Sequence, residues 1–291
     1  ILYSKVSGWH FFMSSKFHHG EQSYKNFEIA KEGENKGKII EKSEEGEIVP
    51  LDLSITKVVF SIFMSCILLV WLFVSIARQY QKNPYSAPHG VQNALEPMIL
   101  FVRDDIAKAA IGEHKYEKYM PYLLTLFFFI WFNNMLGLIP IFPGGANVTG
   151  NIVVTMVMAV FTFIITTISA NKHYWQEIYN APGVPWWLKF PIPLMPFIEL
   201  LGVFIKPIVL MIRLFANITA GHLVALAFVS LIFIFGQMNP ILGFGVSVFS
   251  GLFSVFMGLL ELLVALIQAY VFTLLSAIYF GMATAEHHES H

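Results

Sequence analysis

Between Tyr119 and Met282 the chain carries three acids, Glu177, Glu199 and Glu261, and four fixed cations, Lys172, Lys189, Lys206 and Arg213. A stretch so poor in charge has few ways to fold. About 20 apolar residues cross the hydrocarbon core of a bilayer as a helix. In lipid each backbone N–H and C=O must be paired inside its own segment, so such spans are helical. Five runs qualify, at roughly 55–77, 120–139, 151–170, 195–235 and 244–281. The last two are each close to twice what a perpendicular span needs. Each is either a hairpin of two short helices or one long tilted helix. Pro207 and Gly221 interrupt the first of them without polar loop neighbours, which favours long helices joined at GQMNPILG. The expected fold class is an all-α membrane protein. It has five spanning helices plus an amphipathic interfacial helix, and the last two spans are long, tilted and antiparallel.

The interfacial helix comes from HGVQNALEPMILFVRDDIAKAAIGEHKYEKY. There Leu95, Met98, Ile99, Val102, Ile106 and Ala109 recur at helical spacing, with Arg103, Asp104, Asp105 and Lys108 on other faces. That pattern suits a helix lying in the membrane plane. NKHYWQEIYNAPGVPWWLK reads as a second interfacial return, with Trp175, Trp186 and Trp187 at headgroup level. Three domains are expected: a polar extracytoplasmic segment 1–54, a membrane domain 55–282 and a cytoplasmic tail 283–291. Within the first, KEGENKGKIIEKSEEGEIVP reads as loop or as a small hairpin around Gly33 and Gly37.

Several function classes are excluded early. Hydrophobic residues make up 56% of the chain and the net charge is −1, so no basic footprint exists for nucleic acid. A single cysteine, Cys66, leaves no internal disulfide. His10, His18 and His19 match no metal-binding spacing and read as surface histidines, and the terminal EHHESH reads as a soluble tail. No metal and no cofactor are expected. The sequence opens on Ile1 rather than Met, which is compatible with a removed signal peptide.

Orientation follows from lysine and arginine. The 78–118 connection carries Arg78, Lys82, Arg103, Lys108, Lys115 and Lys118, and 171–190 carries Lys172 and Lys189, whereas 140–150 and 236–243 carry none. Positive loops stay in the cytoplasm. The N-terminal segment has seven lysines, but nine acids accompany them. Five spans then put the N-terminus outside and the C-terminus in the cytoplasm.

Two stripes carry chemistry. Glu199, Lys206 and Arg213 recur every seven residues, as do Ser247, Ser254, Glu261 and Gln268. Seven helical steps return within roughly 20° of the same face. Gly251 and Gly258 repeat the same step and suit close approach by another backbone. An arginine at bilayer depth costs at least about 2.5–3.5 kcal/mol and usually faces a bundle interior or a wet cavity. The plain alternative is an ion-pair cluster that holds helices together. In an antiparallel pair Arg213 and Gln268 share a level near mid-membrane, and His222 and Glu261 share one nearer the outside. His222 lies nine residues from Arg213, about half a turn off its stripe, and fits a wet pocket behind that face. His222 and Glu261 can titrate near neutral pH when buried together. Arginine effectively never deprotonates.

RLFANITAGH resembles the signature of subunit a of the F-type rotary ATP synthases, the membrane stator beside the proton-carrying c-ring. FVRDDIA, YLLTLFFFIWFNNMLGLIP, ANVTGNI, FIELLGVFIKPIVLMIRLFAN and LIQAYVFTLLSAIYF follow in the family's order, and only the first 50 or so residues lie outside the likeness. The resemblance implies a bacterial inner-membrane protein whose partners are the c-ring, the peripheral-stalk subunit b, the rest of the complex and lipid. It implies protons reaching the ring carboxylate through His222 and Glu261, with Asn147 and Asn217 nearby, and leaving by a cytoplasmic exit near Glu199. It implies that Arg213 separates the two half-channels. Some members carry the acid on the arginine helix and the histidine on the last helix; here the two are reversed.

No GxxxxGK[ST] loop is present to bind a nucleotide phosphate, so no catalytic site of its own is expected. A stand-alone proton or ion transporter is the competing reading, although no paired repeat is visible. An intramembrane metalloenzyme would need clustered ligands at depth, where His222 stands alone.

Overall fold

The computed structural model describes residues 1–4, 6–13, 16–17, 22–30, 32, 35–43, 46–82, 90–139, 145–179 and 194–285. His18, His19, Gly33, Trp186, Trp187, Lys189 and the tail from 286 onward lie outside them. The chain divides into two compact units, Ile1–Phe60 and Ser61–His291.

The first unit is built from short antiparallel strands: β1 (Leu2–Ser4), β2 (Gly8–His10), β3 (Phe27–Ile29), β4 (Ile39–Ser43), β5 (Gly46–Ile48) and β6 (Leu51–Asp52). They form two three-stranded sheets, ordered β2-β1-β6 and β3-β4-β5. The β3–β4 hairpin closes through Gly37 N–H donating to Ala30 O at 2.7 Å. Gly37 sits at φ 82°, a left-handed conformation that glycine adopts without a Cβ penalty. Leu2, Phe17 and Phe27 form a small core. The buried Glu41 carboxylate on β4 accepts from the hydroxyls of Ser4 and Ser7. These are its partners away from water, and they offset the cost of burying it.

The second unit is helical. Helix α1 (Lys57–Lys82) leads into α2 (Val91–Phe101), a π-helical stretch Val102–Lys108 and a last turn α3 (Ala109–Ile111). Then follow α4 (Tyr116–Leu138), α5 (Ile152–Ser169), α6 (Lys172–Tyr179), α7 (Leu194–Met238) and α8 (Pro240–Thr284). Five of these, α1, α4, α5, α7 and α8, are long and apolar enough to cross a membrane. Helices α7 and α8 have 45 residues each, so each is about 68 Å long, more than twice the thickness of the hydrocarbon core. An apolar helix of that length stays within lipid only if it is inclined. Helix α7 runs unbroken through Pro207 and Gly221.

The ends are set by side chains the sequence provides. Asn151 starts α5 by accepting from Val153 N–H at 3.0 Å, and Asn239 starts α8 by accepting from Ile241 N–H at 2.9 Å, with Pro240 in the first turn. Both fill donors that a helix N-terminus leaves unpaired. The core gathers around α4: Leu123, Phe127, Phe128 and Ile130 are fully buried, together with Val102 and Ile106 of the π-helical stretch and Ala269 and Phe280 of α8.

The π-helical stretch shifts the expected stripe. Val102, Ile106 and Ala107 face the core, and Ala109 is exposed. Each i→i+5 turn takes up one residue more than an α-turn, so the apolar face slips by a position. The polar face carries a small ion cluster. Asp104 accepts from Arg103 Nη2 at 2.8 Å and pairs with Lys108 Nζ at 2.8 Å. These hydrogen bonds, the Arg103 one first, hold the Asp104 carboxyl well below the usual carboxylate range.

Candidate functional site

Helices α7 and α8 form one hairpin whose register can be read from four contacts. A Cβ on Gly243 would lie 2.7 Å from Gly236 Cα, so the backbones nearly touch beside the turn. The rings of Phe228 and Phe253 are 4.3 Å apart. A Cβ on Gly221 would lie 3.1 Å from Glu261 Oε1. Lys206 Nζ stands 5.5 Å over the Tyr279 ring. Interpolating along these rungs, Arg213 is level with the region of Gln268, and His222 with Glu261. The glycines allow this proximity: a larger residue at Gly221 would meet the Glu261 carboxylate.

Arg213 is exposed on the outer side of α7, and Asn217, one turn on, is exposed as well. Among the described residues no carboxylate comes within 4 Å of the Arg213 guanidinium. His222 is half-buried and Gln268 is buried. Glu199 is exposed near the start of α7, about 21 Å along the axis from Arg213. Two turns of helix beyond Glu199, Lys206 lines a small cavity with Thr162, Thr166, Tyr174 and Tyr279. Burial, and after it the Glu199 charge, pushes the Tyr174 phenol up.

Asn147 has a local task. Its Oδ1 accepts from Gly150 N–H at 2.7 Å, which closes the turn before α5. The same turn reaches the bundle through Thr149, whose hydroxyl donates to Asn134 Oδ1 at 2.5 Å; Asn134 Nδ2 in turn donates to Ala265 O at 3.2 Å. Asn134 thus ties α4 and the 145–151 turn to α8 one turn beyond Glu261. Neither Asn133 nor Asn134 stands on either of the two polar stripes. Their signal was present, since two amides in an uncharged span need partners.

The seam between α7 and α8 holds a further group. Thr219 Oγ1, Ser250 Oγ, Ser254 Oγ and Glu261 Oε1 are buried polar atoms with no hydrogen-bond partner among the described residues. Three of them step along α8 from the hairpin turn toward Glu261. Buried polar groups without a protein partner are ordinarily satisfied by water. Gly251 and Gly258 meet nothing within 4 Å of an added Cβ, so the close approaches of α8 within the chain lie elsewhere, at Gly243 and at Gly281 against Ala110 O. Among the described residues no three side chains of the metal-ligating types cluster.

Residues 58–281 match the family model described as ATP synthase A chain. The chain is 46% identical over 251 residues to ATP synthase subunit a 2 of Chlorobaculum tepidum, covering 84% of this chain and 67% of that protein. It is 43% identical over 248 residues to ATP synthase subunit a of Chlorobium phaeobacteroides strain DSM 266, covering 82% and 67%. It is 40% identical over 264 residues to ATP synthase subunit a of Myxococcus xanthus, covering 86% and 82%. Five apolar helices, a paired final hairpin and likeness over more than four fifths of its length agree: the chain is a multi-pass integral membrane protein and belongs to the ATP synthase A chain family.

Proposed function

We propose that this chain is the stator of a proton-driven rotary ATP synthase and that Arg213 divides its proton path into two half-channels. The observation that supports this most is the setting of Arg213. A guanidinium that is exposed on an apolar helix, with no carboxylate within reach among the described residues, is costly in lipid. A carboxylate from another chain relieves that cost, and the c-ring supplies one at each step. Protons enter along the α7–α8 seam, past Ser250 and Ser254, and reach the level of Glu261 and His222. There they are passed to a ring carboxylate. After rotation that carboxylate releases its proton toward the Glu199 end of α7, beside Lys206 and Tyr174, and the resulting anion pairs with Arg213. Asn217 flanks the arginine, Gln268 stands at its level, and Asn147 holds the turn packed near the inlet. The open strip at Gly251 and Gly258 suits close passage of a ring helix. Subunit b of the peripheral stalk holds the assembly against torque. The N-terminus is outside and the C-terminus in the cytoplasm, which puts the Asn239 turn on the side from which protons arrive.

The membrane potential supplies about 2.3 kcal/mol per proton per 100 mV. It does work only if protons cannot pass without turning the ring. In the assembled complex, Arg213→Ala is expected to abolish ATP synthesis and ATP-driven pumping and to raise passive proton leak. Arg213→Lys keeps a charge but loses the planar fork and can deprotonate when desolvated, so coupling also fails. A purely structural arginine predicts the opposite pattern, misassembly in the alanine variant and rescue by lysine. Coupled synthesis in Arg213→Ala membranes would overturn the mechanism.

A further inference from the structure

The sheet β2-β1-β6 turns an apolar face outward. Successive strand residues point to opposite sides. Leu2 and Ser4 point inward and are each 1% exposed. Tyr3 points the other way, paired with Trp9 on β2 and with Leu51 on β6. The three form a continuous rung across the sheet. Trp9 is 55% exposed and Leu51 59%. The Tyr3 and Trp9 rings are 4.9 Å apart, and Phe11, 71% exposed, extends the row at 6.3 Å from Trp9. An antiparallel sheet with one buried face ordinarily turns polar residues to the water. Here that face carries a tryptophan, a tyrosine, a phenylalanine and a leucine.

Two observations identify what it meets. The first is reach. Only residues 53–56 separate β6 from α1, the first of the five helices able to cross a membrane. Five Cα steps extend at most about 18 Å, so the sheet cannot travel far from the bilayer surface at which α1 begins. The second is continuity. Leu53 and Ile55 in that connector and Phe60 at the start of α1 are exposed too, so apolar exposure runs from the sheet through the connector onto a membrane helix. Tryptophan and tyrosine, apolar rings with a polar tip, are the residues enriched at headgroup level.

We propose that the Trp9–Tyr3–Leu51 face, with Phe11, docks on the phospholipid surface of the leaflet from which α1 enters, so that the N-terminal unit is a peripheral membrane anchor. The occupant is lipid, not a second copy of this chain and not another subunit. The proposal depends on α1 being a span and is independent of the proton path.

The test uses the assembled complex in its own membrane. A photoreactive phenylalanine replaces Phe11, and separately replaces Lys36, which is exposed in the β3–β4 turn. A third variant carries the probe at Leu51, on the same face but in another strand, so that one poorly folded variant does not decide the outcome. After illumination the chain is analysed by mass spectrometry. The expected result is a phospholipid adduct at positions 11 and 51 at least tenfold above that at position 36. Crosslinking of both positions to a polypeptide, or lipid adducts no more abundant than at Lys36, would overturn it.

Discussion

The two halves of α8 are both strongly apolar in sequence and live in different surroundings. From Ala265 to Thr284 the helix is threaded into the bundle, and Phe272 is 2% exposed. From Ile241 to Leu263 it touches α7 along one side and is otherwise bare, and Val248 is 76% exposed. The inner half buries its polar side chains by returning them to its own backbone: Thr273 donates to Ala269 O at 2.7 Å and Ser276 to Phe272 O at 2.8 Å. The outer half leaves Ser250, Ser254 and Glu261 with buried polar atoms that have no partner among the described residues. One half is built as a core and the other as a surface whose seam holds unpartnered polar atoms among the described residues. The difference lies in what the rest of the chain brings alongside, and α4 brings most of it.

This contrast predicts different responses on either side of Ala265. The largest effect is expected at Glu261. Glu261→Gln keeps shape and hydrogen bonding but cannot titrate, and should remove most proton-driven synthesis while the complex still assembles. His222→Ala should act on the same limb, so the double variant should lose less than the sum of the two; strictly additive losses would separate them. Next comes the inner half. Phe272→Ala removes a fully packed ring and should cost about 3–5 kcal/mol, read as a lowered melting point or lost assembly. Gly243→Ala sets a Cβ against Gly236 Cα at 2.7 Å and should cost about 1–3 kcal/mol by overpacking, without direct effect on titration. Leu252→Ala, in the exposed strip, should leave the isolated chain within about 0.5 kcal/mol of the parent; a large loss there would dissolve the distinction between the halves.

The smallest expected effect is at Asp104, away from α8. Its carboxyl is held below the usual range by Arg103 and Lys108. A depressed carboxylate pKa contributes stability that is fully present above the unfolded value, near 3.9, and is lost as pH falls through the folded one. Asp104→Asn should therefore cause a slight loss that is constant between pH 5 and 8 and fades only in acid. A loss that varied across neutral pH would require another titrating partner.

The outline of the membrane unit was legible because charge scarcity and length determine spans. All five long helices lie where the charge-poor runs lie, and the α7–α8 joint falls within GQMNPILG because Asn239 caps and Pro240 starts a helix. Periodicity marks the stripe of Glu199, Lys206 and Arg213 on α7. It did not reveal the π-helical stretch, since a one-residue slip at Val102–Lys108 depends on docking against α4 and α8, which no local pattern encodes. Nor did it show that Gly243 and Gly281 make the close approaches while Gly251 and Gly258 stay open, because all four glycines look alike in a helix. The strands of the first unit were only half visible: a hairpin was one reading, but pairing of β1 with β6 spans some fifty residues and follows from tertiary structure. Asn134 escaped notice because its partners, Thr149 and Ala265, are distant in sequence.

The single residue Asn239 between two helices of 45 residues has a mechanical consequence. A long loop would let one rod creep along the other. Here there is no slack, and a slip by one helical pitch, about 5.4 Å, would require the tip to unwind. The hairpin therefore behaves as a ruler with its zero pinned at one end. The distance from the tip to each marked position, His222 and Arg213 on one arm, Glu261 and Gln268 on the other, is set by counting residues. A load applied to this surface can bend the ruler but cannot rescale it.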